Sequence, residues 1–330
     1  KISIITMGLY DKFAKDLPSV AGKVFVITGT TSGTGFVAAE CVAKKGGEVV
    51  LLNRPSERAD ASLEKLRAAV PGAKFVSIPC DLQDLASVRT ACATIQEKYD
   101  TIYCLSNNAG VMALPDEATK DGYDIQMQTN HLSHFLITQK LFPLITNGAK
   151  KFGDARIVQH SSGARQMTSE KGLAEKYFGP NGGNLGGNST NGAMSGPNMN
   201  RYAQTKLANA VFSYALHDKL QEKEEFVKIK AIAAHPGFAR TSLYGLDLGR
   251  VGTMLMPVAD RILFQSSEDG AMGLIKGMMD PDAESGHLYG PKWISGTAVS
   301  NSPKPYETDT GSKKMLWETS ENAIGEKFDI

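Results

Sequence analysis

Short apolar, β-branched runs alternate along the chain with longer segments in which apolar residues recur every three or four positions. Lys23–Thr28 (KVFVIT), Glu48–Asn53 (EVVLLN), Lys74–Pro79, Ile102–Ser106, Arg156–His160 and Val227–Ala234 read as strands of a buried sheet. Phe36–Lys45, Arg58–Val70, Leu85–Lys98, Gly122–Ile145 and Asn200–Lys219 read as helices. Gly46-Gly47 stops the first of these, and Leu132, Phe135 and Leu136 share one face of the fourth. Strands alternating with helices predict an α/β fold, a doubly wound parallel sheet with helices on both faces. In such a sheet a ligand sits at the carboxyl ends of the strands.

One stretch breaks the rhythm. Gly179–Asn200 holds seven glycines and six asparagines among 22 residues and reads as a loop. Beyond Gly245 the pattern is less regular. Leu248–Phe264 suggests helices over a site mouth, Ser267–Met279 a helix, His287–Tyr289 a last strand and Lys313–Phe328 a terminal helix. Of the 330 residues 42% are hydrophobic and 22% charged, enough for a substantial core. The formal net charge of +1 makes no electrostatic case for nucleic acid or an anionic membrane. No apolar run reaches the roughly 18 residues of a membrane span. Cys41, Cys80, Cys92 and Cys104 form no C-x-x-C pair and read as buried free thiols. They suit a reducing intracellular compartment, the cytoplasm or an organelle such as a plastid. The sequence begins at a lysine, so a targeting segment can have preceded it.

The first strand runs into Thr28-Gly-Thr-Thr-Ser-Gly-Thr-Gly35 and then into a helix. Glycines there let the backbone approach a pyrophosphate, which the helix N-terminus then meets with free N–H groups. The second strand ends in Asn53-Arg54, with Arg58 a turn later; a cation in that place favours NADP(H) over NAD(H). Tyr202 and Lys206 stand one helical turn apart on the same face. An ammonium beside a phenol favours phenolate and is expected to lower the phenol from about 10 toward neutrality. Such a tyrosine exchanges a proton with a substrate oxygen while hydride moves at the adjacent carbon. Ser162, at a strand end, is placed to hydrogen-bond the same oxygen, with Ser161 on the other side. Asn130 is a poor helix former inside a helix, and its amide is expected to hold a water that links the lysine to solvent. His131 and His134 lie three apart without a third ligand nearby and read as packing residues, with no metal site expected. His160 and His235 end strands close to the site and read as structural.

The order TGTTSGTG, NNAG, NHLSHF, HSS, YAQTK, HPG resembles the short-chain dehydrogenase/reductase family over roughly residues 22–245. NHLSHFLIT and YAQTKLANAVF most resemble its retinol dehydrogenase-like branch, near the WW-domain oxidoreductases and the light-dependent protochlorophyllide reductases. The resemblance implies a Rossmann-type fold and a catalytic tetrad of Asn130, Ser162, Tyr202 and Lys206. It implies cofactor contacts from Gly29, Thr31, Ser32, Gly33, Thr34 and Gly35 at the phosphates, Arg54 at the 2′-phosphate, and Asp81 and Leu82 at the adenine. Asn108, Ala109, Gly110, Tyr202 and Lys206 would line the groove, and Pro236, Gly237 and Thr241 would hold the nicotinamide end. It also implies a homodimer or tetramer built on the two long helices, Gly122–Ile145 and Asn200–Lys219, although retinol dehydrogenase-like members are often monomeric or membrane-associated.

Two departures from the family pattern stand out. Thr34 takes the place of an aliphatic residue, and the interval from Ser162 to Tyr202 is unusually long. Residues 1–21 then form an N-terminal extension and 22–330 one dinucleotide-binding oxidoreductase domain. Within it, 163–200 is a substrate-side insertion and 245–330 a C-terminal lid and tail. The expected function is NADP(H)-dependent interconversion of a carbonyl and an alcohol on an apolar or bulky small-molecule substrate. Two alternatives remain open: a catalytically idle scaffold or nucleotide-sensing subunit, and a double-bond reductase like the protochlorophyllide enzymes. The sequence lacks the cysteine those photoenzymes carry just after the lysine, with Leu207-Ala208-Asn209 in its place.

Overall fold

The structure, a computed structural model, describes residues 7–189, 195–237 and 265–330. The six apolar runs become strands β1 (Val24–Thr28), β2 (Glu48–Asn53), β3 (Phe75–Pro79), β4 (Cys104–Asn107), β5 (Ala155–His160) and β6 (Ile229–Ala234). β7 (Leu288–Pro291) joins β6 in parallel and β8 (Ala298–Asn301) pairs with β7 antiparallel. The described sheet runs β3-β2-β1-β4-β5-β6-β7-β8. This is the doubly wound Rossmann-type order, reversing between β1 and β4. Ile27 lies opposite Ser106, Ser106 opposite Val158 and His160 opposite Ala234. That register brings the carboxyl ends of β1, β4, β5 and β6 to one edge. Every residue of β5 is buried, as expected for a central strand covered on both faces.

α1 (Leu9–Asp16), α2 (Gly33–Lys44) and α8 (Ser267–Met279) cover one face; α4 (Leu85–Lys98), α6 (Ser133–Phe152) and α7 (Pro197–Gln221) cover the other. α3 (Glu57–Ala69) packs at the β3 edge. α1 was not foreseen from the sequence. It docks through Tyr10 and Phe13, with Tyr10 N donating to Asp269 Oδ1 of α8 at 3.1 Å. β8 was not foreseen either: it is short and half exposed and carries no alternating pattern.

The segment expected as one helix from Gly122 to Ile145 is three pieces. Asp124 caps a single turn, α5 (Ile125–Met127), accepting from Gln126 N at 3.0 Å and Met127 N at 2.8 Å. A π-helical turn, Gln128–Leu132, follows, and α6 then continues past Ile145 to Phe152. α7 begins at Pro197, ahead of the expected Asn200, because Pro at the first helical position is pre-set for a helix.

The C-terminal segment adds α9 (Pro305–Thr308) and α10 (Thr310–Ile324). α10 lies on α7 and touches α6. The Trp317 ring stands 5.3 Å from Phe135 and 5.8 Å from Phe212, and Phe328 stacks on Trp317 at 5.2 Å. A homodimer on the two long helices would meet α10 there, not bare helix. The four cysteines are free and buried. Among the described residues no helix is long and apolar enough to cross a membrane. The stretch Leu248–Phe264, expected as helices over the site mouth, lies outside the described residues, as does Thr241.

Candidate active site

The chain leaves β1 at Thr28 and turns at Gly29, with φ +69°. A Cβ there would stand 2.7 Å from Ala109 Cα, and one on Gly35 would stand 2.3 Å from Asn108 Nδ2. Only glycine fits both places, so the loop lies tight against the end of β4. α2 starts at Gly33 with Ser32 as N-cap and no side-chain cap, which keeps its first N–H groups for an anion. Thr34 Oγ1 donates to Asn108 Oδ1 at 3.0 Å, so the threonine does more than fill an aliphatic place.

Asn53 ties β2 to the loop, accepting from Thr30 N and donating to Thr30 Oγ1, each at 2.8 Å. Arg54 is exposed at the strand end. Arg58, which the sequence reading set only beside it, reaches back to Thr31 Oγ1 and Ser32 Oγ, both at 3.0 Å. One guanidinium thus borders the loop, with the second, Arg54, at the neighbouring strand end. Asp81 and Leu82 follow β3. The Asp81 carboxylate accepts from Gln83 N at 3.0 Å, and Leu82 O accepts from Ser133 Oγ at 2.6 Å.

Thr28 is a hub the sequence reading missed. Its hydroxyl accepts from Asn108 N at 3.0 Å and Ala109 N at 2.9 Å, and it meets His134 Nε2 at 2.9 Å. His134 Nδ1 faces the Asn130 carbonyl at 2.9 Å, so it carries the hydrogen and Nε2 accepts from Thr28. His131 pairs with Ser320 Oγ at 2.9 Å and sits among Phe135, Phe178 and Phe212. Both histidines pack, and burial pushes them down to about 3 (His131) and about 4 (His134). His160 Nδ1 meets Asn108 Oδ1 at 2.7 Å. At the end of β6, Gly237 N donates to His235 Nδ1 at 3.2 Å, and Pro236 O accepts from Gln265 Nε2.

Tyr202 and Lys206 face the same way from α7, with Nζ 5.8 Å from the ring centroid. Tyr202 is 5% exposed and packs with Ala164 and Met199. Ser161 Oγ donates to Lys206 O at 2.6 Å, locking β5 to α7. Ser162 caps the 3₁₀ turn Gly163–Gln166, its Oγ accepting from Ala164 N at 3.2 Å, so its hydroxyl hydrogen remains for an outside acceptor. Asn130 lies in the π turn. Its amide donates to Val111 O and Thr205 Oγ1, each at 2.9 Å, and its oxygen accepts from Val111 N at 2.7 Å. Both amide hydrogens are committed to protein, so a water could be held only through the oxygen. A Cβ on Gly110 would stand 3.1 Å from Lys206 Nζ and 3.3 Å from Asn130 Oδ1, so both converge on the groove at Gly110.

Lys206 Nζ donates to His160 O at 3.0 Å, an acceptor it shares with Asn209 Nδ2 at 3.1 Å. Burial pushes the ammonium from 10.5 down to about 8. A base lowered in the fold costs stability while protonated: the cost is fully present below pH 8 and gone above 10.5. At pH 7 it is on the order of 3 kcal/mol. Lys206→Met sheds that cost and forfeits a charge-assisted hydrogen bond worth about 1.5–3 kcal/mol, while Asn209 still satisfies the carbonyl. The nucleotide-free variant is therefore expected to melt at or slightly above the wild type at pH 7, and to lose ground to it by pH 10. A lower Tm at pH 7 would count against this account of the lysine.

The Gly/Asn-rich stretch is fastened beside this centre. Arg201, next to Tyr202 and 1% exposed, donates to Gly187 O at 3.0 Å and Leu114 O at 3.2 Å. Asp116 Oδ2 accepts from Leu185 N at 2.8 Å and Gly187 N at 2.7 Å. Arg201 Nε lies 3.2 Å from Asp124 Oδ2 and Nη1 3.7 Å from Asp116 Oδ2, charge contacts more than aligned hydrogen bonds. On the other arm Glu170 accepts from Tyr177 Oη at 2.9 Å and Gln204 Nε2 at 3.0 Å. Between the arms a cavity of about 560 Å³ opens, lined among others by Met167, Leu185, Met199 and Asn200.

The family profile described as short chain dehydrogenase matches residues 23–174. An uncharacterized oxidoreductase of Schizosaccharomyces pombe is 31% identical, over 83% of this chain and 77% of its own. Retinol dehydrogenase 13 of Homo sapiens is 31% identical, over 68% of this chain and 61% of its own. Among solved structures, an uncharacterized protein from Mycobacterium paratuberculosis superposes with a TM-score of 0.72 at 27% identity, covering 96% of this chain and 98% of that one.

Proposed function

The chain belongs to the short-chain dehydrogenase/reductase family, on its retinol dehydrogenase-like side, and we propose that it interconverts a carbonyl and an alcohol with NADP(H). The observation that carries the reading is the pairing of Tyr202 with Lys206 on one face of α7, with Lys206 Nζ at the Gly110 groove and Ser162 following the adjoining strand β5, beside a loop only glycine can form. The loop residues fit a dinucleotide: the first N–H groups of α2 would meet a diphosphate, and Arg58 on the loop with Arg54 at the strand end supports a 2′-phosphate there. When bound, the nicotinamide supplies or takes the hydride. Tyr202 Oη gives its proton to the substrate oxygen in reduction and takes it back in oxidation. Ser162 holds that oxygen by donating its hydroxyl hydrogen. Lys206 places a positive charge beside the phenol and favours its anionic form.

The size of the cavity between the two arms of the insertion supports a bulky substrate, and Met167, Leu185 and Met199 in its wall, beside the polar Glu170, Lys176 and Asn200, support one that is partly apolar. The name of the human relative, a retinol dehydrogenase, points the same way. The 163–200 segment is then the substrate-side wall.

The test is a screen of aldehydes, ketones, retinoids and porphyrin-like carbonyls with NADPH and NADH. Charge-assisted hydrogen bonds from two arginines should set the KM for NADPH about ten- to a hundredfold below that for NADH. Arg54→Ala with Arg58→Ala should erase the difference. Equal constants in the wild type would remove the NADP(H) assignment. Turnover of no carbonyl, with purification in a stable complex, would favour a scaffold instead.

A further inference from the structure

Three residues after Ser162, the chain buries an arginine. Arg165 lies in the 3₁₀ turn that Ser162 caps and is 3% exposed. Its Nη1 donates to Ser162 O at 3.1 Å, and its Nε donates to Glu307 Oε1 at 2.8 Å. Glu307 is wholly buried and comes from α9, 142 residues further along the chain. Its other oxygen accepts from Lys304 N at 3.0 Å, so the carboxylate is fixed at both ends. Tyr214 of α7 and His235 at the end of β6 face the pair, and burial keeps His235 neutral. Among the described residues Glu307 is the one carboxylate paired with Arg165.

A buried ion pair is seldom retained for stability, because apolar residues of the same volume usually serve as well. What a guanidinium adds is direction: a rigid planar fork that fixes whatever it donates to. Here it donates to the backbone of the residue whose hydroxyl is proposed above to hold the substrate oxygen. We propose that Glu307 is a positioning residue: through Arg165 it fixes the turn that presents the Ser162 hydroxyl to the substrate oxygen. This rests on the carbonyl-reducing reading above and completes that site with a residue from beyond the 23–174 region that matches the family profile.

The test is a double-mutant cycle. Glu307→Gln should lower kcat about ten- to a hundredfold, the effect of a displaced reacting group, with the KM for NADPH unchanged. In a Ser162→Ala background the same change should cost less than about twofold, since the hydroxyl it positions is gone. Wild-type kcat in Glu307→Gln, or its full loss repeated in the Ser162→Ala background, would overturn the proposal. If Glu307→Gln leaves Arg165 too poorly compensated to fold, the apolar pair Arg165→Met with Glu307→Leu replaces it and must show the same pattern. If the wild type reduces no carbonyl, the functional reading falls by itself. Hydrogen exchange over residues 161–167 then decides: faster exchange in the variant than in the wild type sustains the positioning role, and equal protection ends it.

Discussion

Tyr202→Phe is expected to cut kcat by about a hundred- to ten-thousandfold while NADPH binds within a few-fold of the wild type. The ring stays. It still packs on Met199 and Ala164, so the variant should remain folded, which a thermal melt checks. What disappears is the hydroxyl proposed to exchange a proton with the substrate oxygen. Lys206 cannot substitute. It is wholly buried, and its Nζ already donates to His160 O at 3.0 Å. The measurement is steady-state kinetics beside cofactor fluorescence titration. A variant that keeps a tenth or more of its kcat would end the assignment of Tyr202 as general acid and base.

The second large effect is on stability. Arg201→Leu removes the counter-charge of two buried carboxylates, Asp116 and Asp124, whose side chains are 2% and 1% exposed. Breaking a buried pair this way costs about 3–5 kcal/mol and should lower Tm by on the order of 10 °C. The loss has a predictable sign with pH. Burial raises the Asp124 carboxyl to about 6, against the pull of Met127 N–H and the Arg201 charge. A raised acid contributes stability below its unfolded value of 3.8 and loses it as pH rises through about 6. Without Arg201 the carboxyl rises further, so the variant's deficit should be larger at pH 8 than at pH 5.5. A deficit independent of pH would mean that Arg201 matters for its carbonyl contacts alone. Because Arg201 also holds the Leu185–Gly187 arm, the same variant should raise the KM for a bulky carbonyl more than for a small one.

The sheet was legible because parallel strands buried on both faces are written as unbroken apolar runs, and all six appear within two residues of where the pattern puts them. The Tyr202/Lys206 pair was legible for a similar reason: a spacing of four is local geometry. Contacts between distant parts of the chain leave no such trace. Arg201 and Asp116 are 85 positions apart in sequence, and Arg165 and Glu307 are 142 apart, so neither pair forms a pattern a window can catch. The π turn at Gln128–Leu132 was invisible because one extra residue in a helical turn barely disturbs the apolar recurrence around it. Asn130 was picked out for its poor helix propensity. Its commitment to the Val111 backbone depends on a loop whose path no propensity encodes. Arg58 was read only as a cation one turn beyond Arg54, because its reach back from α3 to Thr31 and Ser32 is tertiary geometry that spacing does not encode.

The rings covered by Trp317 have a consequence for how the protein is made. Phe135 and Trp317 are 182 residues apart, since 317 − 135 = 182. A ribosome adding roughly 5–20 residues per second needs about ten to forty seconds to get from one to the other. By the end of that interval the sheet and most helices have been synthesised, yet the aromatic face of α6 and α7 still lacks its cover. A nascent chain in that state presents a sticky surface to its neighbours, so the closing residues decide how safely the rest is born.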